Sequence, residues 1–297
     1  MRCGIDLGGT KTEAVIMDDD GNIVWRERMP TPAQNYDAVL DTLESLVHAA
    51  DARAGQSVQL GIGMPGSLSP KTGRVRNSNT QCLINMPFRE DMTRRVNREV
   101  RLANDANCFA LSEAHDGAGA GAKAVFGVIL GTGCGGGLVI NGQLQTGANG
   151  IGGEWGHNPL AAPRVDEIPG PLCYCGRHGC NEVWLSGTGF ARDHETITGQ
   201  KLSAIEVATQ DTPEKQASLD RLVDRLARAL GAVINLIDPD IIVLGGGLSK
   251  IDALYTRVPD IWSAYIFSDV INTKLSPNKH GDASGVRGAA WLWPGKN

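Results

Sequence analysis

Apolar residues fall along the chain in short blocks that alternate between two periods. Residues 2–7 are a short apolar strand ending in Gly8-Gly9. Residues 13–17 and 23–28 flank Asp18-Asp19-Asp20-Gly21-Asn22, a turn between two strands. Val39, Leu43, Leu46, Val47 and Ala50 then recur at helical spacing, which predicts an amphipathic helix over 36–54. A strand at 58–64 closes at Pro65-Gly66, a helix follows at 88–98, and a strand at 100–103 leads into Asn104-Asp105, which opens a helix running to about His115. The first part thus reads strand, strand, strand, helix, strand, helix, strand, helix.

The pattern then restarts. Gly4-Ile5-Asp6-Leu7-Gly8-Gly9-Thr10 has a counterpart in Gly127-Val128-Ile129-Leu130-Gly131-Thr132-Gly133, each a strand running into a glycine turn, with a further strand behind it (138–140 in the second case). Two related α/β halves are expected, with Gly117-Ala118-Gly119-Ala120-Gly121-Ala122 as the hinge between them. Later, Leu219, Leu222, Val223, Leu226, Leu230, Val233, Ile234 and Ile237 mark a long helix that stops before Pro239. A strand at 241–244 runs into Gly245-Gly246-Gly247, and a terminal helix is expected near 284–293. The expected division is 1–117, with a C-terminal helix (284–297) packing back on it, and 118–283.

Composition narrows the function. At 297 residues, with 21% charged and 41% hydrophobic positions, the profile is that of an ordinary soluble protein. A net charge of -5 argues against a nucleic-acid partner. No apolar run approaches a membrane span and Met1 leads directly into a strand, so a cytoplasmic protein is expected. Of the seven cysteines, Cys3, Cys82, Cys108 and Cys134 are scattered and read as free thiols.

Three glycine turns each follow an apolar strand: Gly8 and Gly9, Gly131 with Gly133, and Gly245, Gly246 and Gly247. Such turns let backbone N–H groups surround a phosphate. Thr10, Lys11 and Thr132 add donors, and Asp6 stands where a carboxylate can hold the water shell of Mg²⁺. Neither a Walker A loop nor a dinucleotide fingerprint is present. Asp105 is either a helix N-cap or a general base for phosphoryl transfer. Cys173, Cys175 and Cys180, bent by Gly176 and Gly179, suit a tetrahedral, structural Zn²⁺, with His157 or His178 as the fourth ligand. Glu154 and Glu182 bracket this knuckle and by themselves read as solvated loop glutamates.

Asp6-x-Gly-Gly-Thr-Lys, Asn104-Asp105-Ala106-Asn107, Glu154-x-Gly-His157 and Cys173-x-Cys-Gly-x-x-Gly-Cys180-x-Glu182 together resemble the ROK family (repressors, ORFs, kinases) of sugar kinases, from residue 1 to about 293. Within it the chain looks most like bacterial fructokinase of the manno(fructo)kinase type, on Glu154 to Leu160, Cys173-Tyr174-Cys175 and 280–293; bacterial N-acetylglucosamine kinase shares much of the framework. The resemblance implies an actin-like ATPase fold, two ribonuclease H-like domains with a cleft between them. It implies Asp105 as base, with sugar contacts from Asn104, Glu154, His157 and Glu182 and a pocket lined by Gly66 and Asn79. It implies ATP phosphates against the first two glycine turns, adenosine near Gly245 to Gly247, zinc on His157 and the three cysteines, and a homodimer. The reaction implied is ATP-dependent phosphorylation of the 6-hydroxyl of fructose, with mannose or glucose as slower substrates and N-acetylglucosamine as the alternative. Repressors of the family carry an added DNA-binding helix-turn-helix, whereas this chain begins with the phosphate strand.

Overall fold

The duplicated pattern becomes two five-stranded sheets of matching topology. The structure, a computed structural model, describes residues 1–209 and 211–294. The first sheet contains β1 (Arg2–Leu7), β2 (Lys11–Met17), β3 (Ile23–Pro30), β4 (Gln59–Met64) and β7 (Val100–Asn104) in the order β3-β2-β1-β4-β7. Between β4 and β7 lies a small hairpin, β5 (Ser67–Leu68) and β6 (Val75–Arg76), which the hydrophobic pattern does not announce. The second sheet contains β8 (Ala124–Leu130), β9 (Cys134–Ile140), β10 (Gln143–Leu144), β11 (Ile241–Gly245) and β12 (Lys274–Pro277) in the order β10-β9-β8-β11-β12. In each sheet the central strand pairs antiparallel with the strand after it and parallel with the one on its other side. The repeat seen around Gly4 and Gly127 is therefore structural.

Helices α1 (Tyr36–Ala54), α2 (Phe88–Val96) and α3 (Asp105–His115) follow the expected spans within two residues. In the second half, α4 (Asn181–Leu185), α5 (Gly187–Thr198), α6 (Ala204–Thr209), α7 (Pro213–Ile237) and α8 (Ala253–Ile261) cover the sheet, and α9 (Ser284–Trp291) ends the described fold. Of the terminal helix expected over 284–297, residues 295–297 lie outside the described residues. Cys134 to Gly137 belong to β9, which is longer than the strand predicted at 138–140. The reason is packing: a Cβ on Gly137 would lie 2.8 Å from the Ala106 carbonyl oxygen and from the Ala110 Cβ, so bare glycines let α3 lie against the strand. Gly4 and Gly61 do the same on the first sheet, where a Cβ would come within 2.2 Å of the Val286 oxygen and 1.9 Å of the Ala289 oxygen of α9. α9 does pack back on the first sheet.

The chain passes between the sheets twice, at 116–123 and at 278–283. One buried side chain serves both crossings. The Glu113 carboxylate accepts from the amides of Ala118 (2.9 Å) and Lys279 (3.0 Å) and from Ser284 Oγ (2.8 Å). Among the described residues no helix is long and apolar enough to cross a membrane.

Candidate active site and metal cluster

Strands β1, β4 and β7 run parallel and end at one edge of the first sheet, with Asp6 paired to Gly63 and Met64 to Asn104. Ligands gather beyond such carboxyl ends. Asp6 and Asp105 both arrive there, and a cavity of about 460 Å³ is lined by Asp6, Gly8, Gly9, Asn79, Asp105 and Gly246 among others. Asn104, not Asp105, caps α3: its side-chain oxygen accepts from the amides of Ala106 (2.8 Å) and Asn107 (3.3 Å). Asp105 is the first helical residue, reached by water yet deep in the cleft. Crowding by protein raises its pKa against the lowering effect of the Ala106 amide and Asn104. Burial, then the charges of Asp105 and Glu13, push Asp6 up to about 6, with Lys11 opposing.

The remaining glycine turns meet at the floor of this cleft. Gly246 adopts φ 82°, and a Cβ there would lie 2.6 Å from the Leu130 oxygen, so the third turn sits directly on the second. Gly245 packs over the Phe109 ring, and Gly247 starts a short helical turn that brings Ser249 and Lys250 to the cavity. Thr10 and Lys11 are exposed at the start of β2. Gly131, Thr132 and Gly133 form the β8–β9 turn; a Cβ on Gly133 would lie 2.9 Å from Glu182 Oε2, which accepts from the Cys134 amide at 3.2 Å. Gly66, at φ 83°, turns the chain out of β4 against Arg76 and Ser78. Sequence reasoning passed over Ser249, Lys250, Asn278, Asp282 and Ser284, which also line the cavity. A polar Ser-Lys pair just after a glycine turn was the available signal.

Glu154 and His157 sit on a short helical turn fixed from beneath by Trp155, whose Nε1 donates to the Gly135 oxygen at 2.9 Å. Desolvation raises the Glu154 pKa; His157 and Arg76 lower it, while Asp105 and Glu182 raise it further. The two acidic loops, Asp105 and Arg76 therefore share one field. The cluster His157, Cys173, Cys175 and Cys180 brings its ligand atoms within 4.8 Å of one another. Cys175 Sγ is 3.6 Å from Cys180 Sγ, and Cys173 Sγ is 3.7 Å from His157 Nδ1. Those edges match a tetrahedron with Zn–S bonds of about 2.3 Å. His157 Nε2 is hydrogen-bonded to the Tyr174 hydroxyl (2.8 Å), while His178 Nδ1 is bonded to the Gly170 oxygen, outside the cluster. The loop between His157 and Cys173 is pinned to α7 through Glu167. Burial alone would raise this carboxyl, but bonds from Arg228, the Arg164 amide and Arg225 hold it down at about 2.

The chain is 42% identical to an N-acetyl-D-glucosamine kinase of Pectobacterium atrosepticum over 98% of each chain. It is 41% identical to one from Escherichia coli K12, over 98% of this chain and 99% of that protein. Among solved structures, a ROK hexokinase from Thermus thermophilus superposes with a TM-score of 0.87 at 28% identity, covering 97% of this chain and 96% of that one. A ROK family glucokinase from Streptomyces griseus, in complex with glucose and AMPPNP, gives 0.77 at 27% identity over 98% of both. The fold is thus the actin-like sugar-kinase fold. The expected likeness to fructokinase finds no support among these relatives; the two curated ones carry the name of the alternative, N-acetylglucosamine kinase. The ROK family model matches residues 2–296, and with duplicated sheets, glycine turns and a Cys/His cluster in that family's order, this sugar kinase belongs to the ROK family.

Proposed function

We propose that this enzyme phosphorylates the 6-hydroxyl of N-acetyl-D-glucosamine with ATP. The sugar assignment rests on the whole-length similarity to kinases of that name. The chemistry rests on one observation above others: Asp105 stands in the same cavity as Asp6 and the Gly8-Gly9 turn, in an environment that raises its pKa. A carboxylate of raised pKa is a better proton acceptor near neutrality.

In this reading the cleft between residues 1–117 with α9 and residues 118–283 closes over the sugar. Asp105 takes the proton of the primary hydroxyl as that oxygen attacks the γ-phosphorus and ADP leaves. The amides of the Gly8–Lys11 and Gly131–Gly133 turns receive the phosphates, and Gly245 to Gly247 border the adenosine. Mg²⁺, when bound, neutralises phosphate charge, with Asp6 as the residue to hold its water shell. Glu154 and Glu182 orient sugar hydroxyls, together with the amide nitrogen of Asn104, since its oxygen is committed to capping α3, and His157 joins them by exchanging the Tyr174 hydroxyl on Nε2 for one of the sugar. Asn79 and Gly66 belong to the same pocket wall.

The donor set of three thiols and one imidazole fits Zn²⁺. Its role here is structural. Glu154 lies three residues before His157 and Glu182 two after Cys180, so a metal on those ligands fixes the spacing of the two sugar carboxylates. Backbone bonds from Asn181 N to the Asn158 oxygen (2.8 Å) and Leu160 N to the Gly179 oxygen (2.9 Å) already join the two loops.

A coupled ADP-release assay with Mg-ATP, run to saturation against N-acetylglucosamine, glucose, mannose and fructose, tests the reading. The highest kcat/KM is expected for N-acetylglucosamine. A higher value for fructose would restore the fructokinase assignment, and no turnover with any of the four would sink the kinase reading.

A further inference from the structure

Two loops, one from each half of the chain, meet beside the cleft. On the first side the β5–β6 hairpin leads from Gly66 to Asn79. On the second, residues 145–153 lead into Glu154. This second loop is poor in side chains that could hold it: Gly147, Gly150 and Gly153 all adopt positive φ (73°, 62° and 90°). Its internal bonds are short-range, such as the Gly150 amide to the Gly147 oxygen and the Gly152 amide to the Thr146 oxygen.

Arg76 supplies a contact from across the cleft. Its Nε donates to Ser67 Oγ (3.3 Å) on its own hairpin, which aims the guanidinium outward. Its Nη2 donates to the Asn149 oxygen at 2.7 Å and reaches the Gly150 oxygen at 3.5 Å. Pro70 closes in on the same spot: a Cβ on Gly150 would come within 3.3 Å of its ring. A planar fork can hold one partner with Nε and another with Nη2, which an ammonium cannot reproduce. The charge also faces Glu154 and partly offsets the raising effect of desolvation there.

We propose that Arg76 is a positioning residue for the sugar, bonding the 145–153 loop across the cleft so that Glu154 is held over the sugar when the two sides are drawn together. This rests on the reading of the cleft as a sugar-kinase site. The loop on its own is a set of conformers of which few present Glu154 correctly. Arg76 raises that fraction, and apparent sugar affinity scales with it. Because the contact is made to backbone and not to the phosphoryl group, its loss acts on sugar binding rather than on the chemical step.

Arg76→Ala, Arg76→Gln and Arg76→Lys are compared with wild type in two measurements. Hydrogen exchange of the peptide spanning 145–153, without ligands, is expected to quicken in Ala and Gln and to lie between them and wild type in Lys. Saturation curves are expected to show the sugar KM raised roughly 10-fold in Ala, the scale of one charged hydrogen bond at a half-exposed site, with kcat and the Mg-ATP KM within about 2-fold. An unchanged sugar KM overturns the proposal. So does a raised KM with unchanged loop exchange, since Arg76 would then touch the sugar itself. A fall in kcat shared equally by all three variants also overturns it. Exchange is read without substrate, so a wild type that ignores N-acetylglucosamine refutes the substrate assignment and leaves exchange to decide the role of Arg76.

Discussion

Replacing Glu113 with alanine tests whether one carboxylate holds both passages between the sheets. The residue is fully buried, and its Oε2 serves the amides of Ala118 and Lys279 while Oε1 serves Ser284 Oγ and, at 3.5 Å, the His280 amide. Alanine leaves the two amides without their acceptor, at roughly 1–3 kcal/mol each. Ser284 is less affected, because its hydroxyl has a second acceptor in the Gly281 oxygen at 3.1 Å. With the lost packing, the total is about 4 kcal/mol, or roughly a 6 °C fall in the thermal midpoint for a chain of this size. Glutamine separates charge from geometry. It keeps a carbonyl oxygen for the two amides and presents its NH₂ to Ser284 Oγ, so its cost is about 1 kcal/mol. Thermal and urea unfolding of the three proteins at neutral pH provide the readout. Alanine within 1 kcal/mol of wild type would refute the reasoning. Glutamine as damaging as alanine would show that the negative charge, and not the pair of acceptors, secures the crossings.

Asp105→Asn should lower kcat by about 10²–10⁴ while ATP binding by calorimetry stays near wild type, since only the proton acceptor is removed. Because the Asp105 pKa is raised, the acid limb of wild-type kcat should fall off above the ordinary carboxylate value as pH drops; a limb near 4 would contradict the assignment. Asp6→Asn should stabilise the ligand-free protein at pH 8. A carboxyl raised from 3.8 to about 6 favours the folded state below 3.8, and that contribution is lost as pH rises through 6. The gain over wild type is about 2 kcal/mol at pH 8, discounted for residual water contact, and should vanish near pH 4; equal midpoints throughout would show that Asp6 is not strained. Stripping metal with a chelator should lower the thermal midpoint and the sugar kcat/KM together, and readdition of Zn²⁺ should restore both. A midpoint insensitive to the chelator would mean that His157, Cys173, Cys175 and Cys180 bind no metal.

Much of this was legible in the chain, for physical reasons that differ by region. The helix at 36–54 repeats its apolar residues every three or four positions and has Asn35 and Gly55 as caps, so period and termini agreed. Spacing alone left His157 and His178 open, because the choice depends on which imidazole faces the thiols once the loop has folded; the family resemblance favoured His157, the one found beside them. Asp105 read equally as a cap or a base because Asn-Asp at a helix start offers two side chains for one capping role, and only the folded helix start gives that role to Asn104. β5 and β6 escaped notice since two-residue strands leave no period to read. Arg76 escaped with them: its partners are carbonyls more than seventy positions away, which no local pattern encodes. Sugar choice escaped for a further reason: N-acetylglucosamine is set apart by its acetamido group at C2, and no local pattern shows whether the fold leaves space and an amide partner for it.

The seat of α9 on Gly4 and Gly61 bears on how the protein comes off the ribosome. The strands of the first sheet are made well before the helix that covers one of their faces. Until then that face is a stripe of bare backbone and aliphatic side chains, the kind of surface that chaperones recognise. The first-made unit must therefore wait, half-finished, while the whole second sheet and its Cys/His loop are synthesised. Maturation of the cleft is then set by the arrival of α9, and a chain truncated just before it would carry every proposed ligand residue but no covered first sheet to hold Asp6.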